Sequence, residues 1–414
     1  MNAPERMTPV HAALDRFAVV DDVLVVGGEP LPLLAARAGR TPFYAYDRAQ
    51  LDARVAELRA TLPREIKLHY AMKANPMPAL VGHMARRVDG IDVASGGELR
   101  VALDAGCAPA EISFAGPAKS DAELAQAVAT GILVNVESAR EVELLAEHAA
   151  RMGRPARVAV RVNPDFELKA SGMKMGGGPK QFGVDAEQVP ALLARIGQLG
   201  LAFEGFHLYA GSQNLKPDAI CEAQVKSYEL ALRLAAAAPA PVQVLNLGGG
   251  FGIPYFPGDV PLDTAPIGAN LRELVARAAR EMPHVSIVVE LGRYLVGEAG
   301  VYVCRVVDRK VSRGQVFLVT DGGLHHHLAA SGNFGQVIRK NYPVAIGTRM
   351  RGVAREKASV VGPLCTPLDL LADQMDLAVA GPGDLVVVFQ SGAYGATASP
   401  HGFLSHAGPV EILV

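Results

Sequence analysis

Short apolar stretches alternate with amphipathic stretches along most of the chain. Eight of the apolar stretches have the length and continuity of buried parallel strands, and they lie at 67–72, 90–95, 111–116, 132–137, 157–162, 202–208, 242–247 and 286–291. The intervening stretches carry helix caps, such as the capping box of Ser120 and Glu123. Eight successive βα units predict an α/β fold with a closed (β/α)8 TIM barrel, with a doubly wound open sheet as the alternative.

The pattern differs on either side of this region. Beyond about residue 296 it is typical of strands, in VYVCRVVDRKVS, QVFLVTD, EKASVVG, DLVVVFQSG and PVEILV. Residues 17–26 contain two further short apolar runs. We therefore expect N-terminal strands in 1–41 that join the β-rich domain, a barrel in 42–295 and a β-rich C-terminal domain in 296–414.

Residues 164–184 form a connection with five glycines and little periodicity. A structureless connection of this length is either disordered or a functional lid. Because it follows a barrel strand, it lies at the end of the barrel where such enzymes keep their active sites. The sequence favours a lid.

Composition excludes several classes of partner. Half of the residues are hydrophobic and the net charge is −2, so neither nucleic acid nor an anionic membrane is indicated. The four cysteines form no C-x-x-C pair, which argues against a zinc site or a disulfide framework. The N-terminus does not resemble a signal peptide, and no apolar run is long enough to span a bilayer. We expect a cytoplasmic protein.

Lys73 ends the first barrel strand, in HYAMKANP. An ammonium group in an apolar run is costly unless it reaches water or gains a partner. One interpretation is a lysine whose stem packs while its charge is solvated. The other is a desolvated amine that forms a Schiff base with an aldehyde.

Glycine-rich turns follow the last two barrel strands. Gly248, Gly249 and Gly250 come after the seventh strand, and Gly292 with Arg293 comes after the eighth. A phosphate-bearing cofactor in a barrel needs backbone donors and a nearby cation. One such turn is weak evidence, but two at adjacent strand ends are specific.

Several polar residues at strand ends are candidates for the remaining chemistry. Glu290 is either a structural ion-pair partner or the carboxylate that keeps a pyridine nitrogen protonated. His207 is either structural or stacked on a flat ring. Ser212 is either a phosphate ligand or an ordinary loop serine. Asp92 and Glu98 are either orienting acids or acids at helix starts.

The β-rich region offers fewer signals. Cys365 lies in a turn, GPLCTP, where a thiol can act as a proton donor or remain inert. Tyr394 lies between glycines in GAYG. Three consecutive histidines, 325–327, cannot converge on one face of a strand or helix, so we predict no metal site.

These motifs together resemble a known family. YAMKAN, DVAS, GGG, ELGR, GPLC and GAYG occur in the order found in the alanine-racemase-fold (type III) pyridoxal-phosphate-dependent decarboxylases, the diaminopimelate/ornithine decarboxylase superfamily. Within it, the chain is most similar to exosortase-system-associated and carrier-protein-linked glutamyl decarboxylases. The resemblance extends from about residue 42 to the C-terminus.

The resemblance implies a role for each residue. Lys73 would hold pyridoxal 5'-phosphate as an imine, His207 would stack on the ring, and Glu290 would bond the pyridine nitrogen. Cys365 would reach the site from the partner subunit of a homodimer and reprotonate the product. The remaining cofactor-binding positions would be Asp92, Ser212, Gly249, Gly250, Gly292, Arg293 and Tyr394.

Two departures from the family bear on the substrate. Enzymes of this family that act on diamino substrates resemble one another in having an acid directly after the catalytic cysteine, where this chain has Thr366. Diaminopimelate decarboxylases also place an arginine soon after the Asp-Gly-Gly turn, whereas here the first is Arg339. We predict decarboxylation of an amino acid, free or carrier-bound, without a free distal ammonium.

Three alternatives to this function remain from the sequence. The first is diaminopimelate decarboxylation proper. The second is racemisation on the same fold, which Glu290 disfavours because such racemases resemble one another in placing an arginine at the pyridine nitrogen. The third is a protein without this chemistry, either a cofactor-handling barrel or a phosphate-binding barrel enzyme without pyridoxal.

Overall fold

The computed structural model describes residues 10–166, 173–174 and 176–414 of the 414-residue chain. The chain divides into two compact units. The barrel unit comprises Asp52–Gly252 and Leu262–Leu295, and the β-rich unit comprises Met1–Leu51, Ile253–Pro261 and Val296–Val414.

The β-rich unit begins with a small antiparallel sheet. The strands of this sheet are β1 (Val19–Val20), β2 (Val23–Val26) and β3 (Glu29–Pro30). Helix α1 (Leu31–Ala38) and strand β4 (Phe43–Tyr46) follow it in the chain. Helix α1 ends at Gly39, whose φ of 79° is the left-handed conformation that glycine adopts without a Cβ penalty. All four residues of β4 are buried, so both faces of this strand are covered.

Eight parallel strands close into the predicted barrel. They are β5 (Lys67–Ala71), β6 (Gly90–Val93), β7 (Ile112–Phe114), β8 (Leu133–Val136), β9 (Arg157–Asn163), β12 (Ala202–Leu208), β14 (Val244–Gly249) and β15 (Ser286–Leu291). They pair in the order β9–β12–β14–β15–β5–β6–β7–β8, and β8 pairs back onto β9. The ring is therefore complete, and the predicted α/β fold with a (β/α)8 barrel is confirmed.

Helices connect these strands. They are α2 (Arg48–Thr61), α3 (Pro78–Met84), α4 (Gly96–Asp104), α5 (Asp121–Thr130), α6 (Ala139–Met152), α7 (Val189–Gln198), α8 (Pro217–Ala235), α9 (Ala265–Glu281) and α10 (Arg293–Val296). Helix α5 starts at the capping box predicted for Ser120 and Glu123, in which both reciprocal bonds are present. It ends at Gly131, whose φ is 78°.

The predicted lid, 164–184, contains local structure. Residues 167–172 and 175 lie outside the described part of the chain. Of the rest, β10 (Met173–Lys174) pairs antiparallel with β13 (Gly211–Ser212), and β11 (Val184–Asp185) pairs parallel with β9. The expectation of a wholly structureless connection is therefore wrong, because two of its described parts pair with other strands.

The C-terminal part of the β-rich unit forms a mixed sheet. Its strands are β16 (Gly300–Ser312), β17 (Gln315–Thr320), β18 (Val344–Ile346), β19 (Arg355–Val361), β20 (Leu370–Ala378), β21 (Leu385–Val388) and β22 (Val410–Leu413). They pair in the order β18–β21–β16–β17–β19–β20. Strand β4 pairs antiparallel with β16 and parallel with β22. The predicted β-rich domain is present.

N-terminal residues share the core of this unit. Leu24 and Val26 pack in one apolar cluster with Val301, Val303 and Val387. The strands predicted within 1–41 form their own sheet, and it is β4 that hydrogen-bonds into the large one. The compact unit extends to Leu51, whereas the sequence pattern places the boundary at 41/42.

Among the helices that the structure describes, none combines the length and the apolar character needed to cross a bilayer.

Candidate active site

Lys73 lies in a short 3-10 turn, Met72–Ala74, directly after β5. Its two neighbours in the turn are buried, while its own side chain is 44% exposed. The turn is held from both sides, because Tyr70 Oη donates to the Asn75 carbonyl at 2.8 Å and Asn75 Oδ1 accepts from Met77 N at 3.1 Å. The amine is therefore fixed at the carboxyl end of the barrel and remains accessible.

Glu290 faces this amine from the adjacent strand, β15. Its carboxylate is 4% exposed, and Oε1 lies 3.4 Å from Lys73 Nζ. His207 approaches from the other side, with Nε2 3.1 Å from Oε2. Burial alone raises the pKa of Glu290, but the charges of Lys73 and His207 outweigh burial and hold that pKa well below its usual range. Glu290 is an anion between two nitrogen bases.

Two further residues support Glu290. Asn246 Nδ2 lies 3.5 Å from Glu290 Oε2, and Asn246 Oδ1 accepts a hydrogen bond from Gly248 N at 2.8 Å. At Gly292 an added Cβ would lie 2.9 Å from the Cβ of Ala74. Glycine at 292 therefore allows the end of β15 to pack against the turn that carries Lys73.

The glycine-rich turns form a backbone cradle next to Glu290. Gly250 has a φ of +73°, and a Cβ there would overlap the carbonyl oxygen of Gly211. The loop after β12 is tied to this turn, because Asn214 N donates to the Gly250 carbonyl at 2.9 Å. Ser212 lies in this loop, and Gly249 precedes Gly250 at the end of β14.

Arg293 lies directly beyond Gly292, at the first position of α10. The predicted phosphate-binding residues of the barrel unit therefore all lie at the carboxyl ends of three neighbouring strands, β12, β14 and β15. Backbone N–H groups, a hydroxyl and a guanidinium at one edge are the donors that a phosphate requires.

Asp92 occupies the barrel interior and bonds other side chains of the barrel. Its Oδ1 lies 3.0 Å from His69 Nδ1 and accepts from Ser113 Oγ at 2.5 Å. Its buried Oδ2 has no hydrogen-bond partner among the described residues. Glu98 accepts from Ala94 N at 2.7 Å; burial raises its pKa, and this backbone bond and Lys73 oppose that effect.

The predicted lid, 164–184, is anchored at its C-terminal end by residues that the sequence pattern did not identify. Glu137 is buried and accepts hydrogen bonds from Gly116 N at 2.6 Å, Gly183 N at 3.0 Å and Arg161 Nη1 at 2.9 Å. The Arg161 guanidinium lies over the Phe182 ring at 5.0 Å. A charged residue inside an apolar strand, VAVRVN, was the available signal for Arg161.

Cys365 and Tyr394 belong to the β-rich unit. The Cys365 side chain is exposed. Its turn is held by Asp369, whose two oxygens accept from Leu364 N at 2.8 Å and Leu324 N at 2.6 Å. Tyr394 lies in a turn with a φ of 53°.

The three consecutive histidines, 325–327, are buried in the same unit. Within the described ranges, no group of three or more histidine, cysteine or acidic side chains is placed to hold a metal ion.

The fold and the barrel site together define a class, the barrel enzymes that bind a phosphorylated carbonyl cofactor through a lysine. Comparison with known proteins gives the family. The model of the pyridoxal-dependent decarboxylases, pyridoxal-binding domain, matches residues 48–297, and the chain belongs to this family.

Curated relatives extend over nearly the whole chain. The chain is 40% identical to the L-glutamyl-[BtrI acyl-carrier protein] decarboxylase of Niallia circulans over 90% of its length and 88% of that protein. It is 33% identical to the diaminopimelate decarboxylase of Aquifex aeolicus over 92% and 88%. A crystal structure of an Aquifex aeolicus protein superposes with a TM-score of 0.84 at 30% identity, over 96% of this chain and 92% of that one.

The protein is therefore a pyridoxal-phosphate-dependent carboxy-lyase, which confirms the predicted resemblance, cofactor and reaction class. The residues of the barrel fit the cofactor. A solvent-accessible amine at Lys73 and a buried anion at Glu290 lie beside a glycine cradle that a Cβ would fill at Gly250.

Proposed function

We propose that the protein decarboxylates an amino-acid group tethered to a carrier protein, such as a glutamyl thioester. The observation that carries this proposal is the neutral pair Thr366 and Pro367 directly after Cys365, where an ammonium-bearing substrate needs an acid. The 40% identity to a carrier-protein-linked decarboxylase supports the same substrate class.

The barrel residues have complementary roles in this proposal. Pyridoxal 5'-phosphate, when bound, supplies an aldehyde that condenses with amines and a ring that accepts electrons during loss of carbon dioxide. Lys73 holds the cofactor covalently. Glu290 accepts a hydrogen bond from the ring nitrogen, and His207 packs against the ring. The phosphate is held by Ser212, Gly249, Gly250, Gly292 and Arg293.

We also propose a homodimer in which Cys365 protonates product in the partner's site. The turn that carries Cys365 adjoins an exposed apolar surface. Phe334, Val337 and Ile338 are 51%, 100% and 77% exposed, and Leu368 is 60% exposed. Asn333 Nδ2 donates to the Leu368 carbonyl at 3.3 Å, so the two segments form one patch. A second copy of the chain covers this patch and thereby brings its site within reach of Cys365.

The substrate is tested by mass spectrometry on the purified holoenzyme. Glutamyl-carrier protein, free glutamate, meso-diaminopimelate and ornithine are each incubated and examined for loss of carbon dioxide. We expect turnover of the carrier-bound substrate and little of the others. Efficient turnover of free diaminopimelate would identify the protein as a diaminopimelate decarboxylase and contradict the proposal.

Shared sites are tested by mixing two inactive variants, Lys73→Ala and Cys365→Ala. Random exchange of subunits in an equimolar mixture makes about half of the dimers mixed, and each mixed dimer has one intact site of two. Roughly one quarter of the wild-type activity therefore returns. Recovery of no activity after verified subunit exchange means that Cys365 does not act across subunits.

A further inference from the structure

His69 lies inside the barrel on the strand that leads to Lys73. In β5 its neighbours Leu68 and Tyr70 are fully buried on the other face of the strand. The Cα of His69 is paired with that of Glu290 on β15. Residues paired in this way on parallel strands project to the same side of the sheet. His69 and Glu290 therefore share the interior of the barrel.

A chain of hydrogen bonds fixes the imidazole. His69 Nδ1 lies 3.0 Å from Asp92 Oδ1, which accepts from Ser113 Oγ at 2.5 Å, and Asn135 Nδ2 donates to Ser113 Oγ at 3.2 Å. The chain crosses four successive strands. Gly90 provides the room for the ring, because a Cβ there would lie 2.5 Å from His69 Nε2.

Three acidic groups interact with this imidazole. Asp92 approaches from β6, Glu290 from β15, and Asp89 from the segment before β6, where it also binds Arg59. Burial lowers the pKa of His69, but these acids outweigh burial and raise it above its ordinary value. The acids thus favour the charged form of His69.

We propose that His69 is a positioning residue: as an imidazolium held by Asp92, it makes Glu290 a weak proton acceptor, so that the proton between Glu290 and the cofactor ring stays on the ring nitrogen. The inference rests on the proposed role of Glu290. Of the cations around Glu290, Lys73 is the amine that reacts with the cofactor. The charge of His69 does not depend on that reaction.

The first test uses the cofactor-free protein. Its imidazole nitrogens are labelled with 15N, and the signal of His69 is assigned by its absence in His69→Gln. We expect the signal to titrate above the ordinary histidine midpoint of about 6.5, and to titrate lower in Asp92→Asn. A midpoint at or below that value in the wild type overturns the proposal. If His69→Gln does not fold, Asp92→Asn gives the assignment by its shift.

The second test uses pyridoxal 5'-phosphate labelled with 15N in the ring and bound to the protein. At neutral pH the ring-nitrogen signal of His69→Gln should move from that of the wild type toward that of an unprotonated pyridine, because Glu290 without a neighbouring cation takes a larger share of the proton. The control is His148→Gln, because His148 also bonds an aspartate, Asp121, at 2.9 Å but lies on helix α6. A shift in the control as large as that in His69→Gln overturns the proposal.

The two hypotheses fail separately. If Glu290→Gln leaves the ring-nitrogen signal unchanged, the proposed role of Glu290 is wrong, and the inference about the cofactor is overturned with it. If Glu290→Gln changes the signal and His69→Gln does not, the role of Glu290 stands and only that of His69 is overturned.

Discussion

Glu290 shows how one side chain obtains its charge from its surroundings. A carboxylate that is 4% exposed is stable as an anion only when it is paired and hydrogen-bonded, and the structure supplies Lys73 at 3.4 Å and His207 at 3.1 Å. The low pKa of Glu290 follows from these contacts. The carboxylate is therefore ionised at neutral pH.

Glu290→Gln therefore removes an anion and keeps the shape. We expect kcat for decarboxylation to fall by about 100-fold, equivalent to ~2.7 kcal/mol, with a smaller effect on KM. Carbon dioxide release under saturating cofactor measures the effect. Glu143→Gln is the control, since Glu143 forms an exposed pair with Arg195 at 2.7 Å. Activity of Glu290→Gln within twofold of the wild type would show that the anion is not needed.

Sequence motifs singled out the two residues proposed to act on the cofactor, but they missed the side chains that surround these residues. Lys73 and Glu290 stand out because a charge interrupts an apolar strand. His69, Asn246 and Arg161 interrupt apolar strands in the same way, yet their roles depend on which strands become neighbours. That pairing is a property of the closed ring, and no local pattern contains it.

At the level of elements, the turn after β14 depends on the conformation of one residue. Gly250→Ala introduces a Cβ both at a φ of +73° and against the Gly211 carbonyl. We expect the affinity for pyridoxal 5'-phosphate to fall by 10-fold or more, by order of magnitude, because the cradle must open. Fluorescence titration measures this affinity.

Gly200→Ala is the matched control for Gly250→Ala. Gly200 has a φ of +67°, and nothing lies within 4 Å of an added Cβ. The Gly200→Ala variant should have a free energy of unfolding lower by about 1–2 kcal/mol and an unchanged affinity for the cofactor. Equal losses of affinity in both variants would show that general destabilisation, and not the cradle, is responsible.

A buried ion pair connects two further barrel elements. Lys119 Nζ lies 3.0 Å from Glu141 Oε2, with side chains 1% and 3% exposed. Burial lowers the pKa of Lys119 and raises that of Glu141, and in each the partner's charge opposes this. Lys119→Met leaves the buried carboxylate of Glu141 without its cation. It should lower the free energy of unfolding, measured in urea, by about 3–5 kcal/mol.

The double variant Lys119→Met/Glu141→Gln tests the cause of that cost. Glutamine at 141 carries no charge and still offers an acceptor to Glu137 N, which the wild-type carboxylate binds at 2.8 Å. The double variant should be more stable than Lys119→Met alone. If it is less stable, the unpaired charge is not what destabilises the single variant.

Periodicity predicted the eight barrel strands to within a few residues but missed parts of the β-rich unit. Strand β20 was missed because Asp373 and Gln374 interrupt it, with Gln374 at a φ of 47° where the pairing with β19 shifts register. Strand β18 has only three residues. Strand β4 was missed because FYAY is buried on both faces and shows no alternation.

At the level of the whole molecule, the buried histidines set a limit on acid stability. Burial lowers the pKa of His325 and His327 to about 3 and that of His326 to about 4, and neighbouring imidazoles add to the effect at His325 and His326. In the unfolded chain these three histidines bind protons with a pKa of about 6.5. Below that pH the unfolded chain therefore holds more protons than the folded chain. The contribution of these neutral histidines to the free energy of unfolding is therefore fully present above pH 6.5 and decreases as the pH falls.

We expect the free energy of unfolding to fall by up to about 1.4 kcal/mol per pH unit for each of these histidines. Urea unfolding between pH 6.5 and 4.5 measures this fall. His327→Gln removes one contribution and should make the slope shallower by up to about 1.4 kcal/mol per pH unit. His284→Gln is the control, because His284 is exposed. An unchanged slope in His327→Gln would contradict the assignment.

The β-rich unit is assembled from the first, a middle and the last stretch of the chain, and β4 lies between β16 and β22. During synthesis on a ribosome, the aromatic residues of β4 emerge early, whereas both strands that cover them emerge after the barrel. The nascent polypeptide thus exposes the hydrophobic strand β4 throughout translation of the barrel. Chaperone capture of nascent chains should concentrate on that segment and end only when the final strand is released.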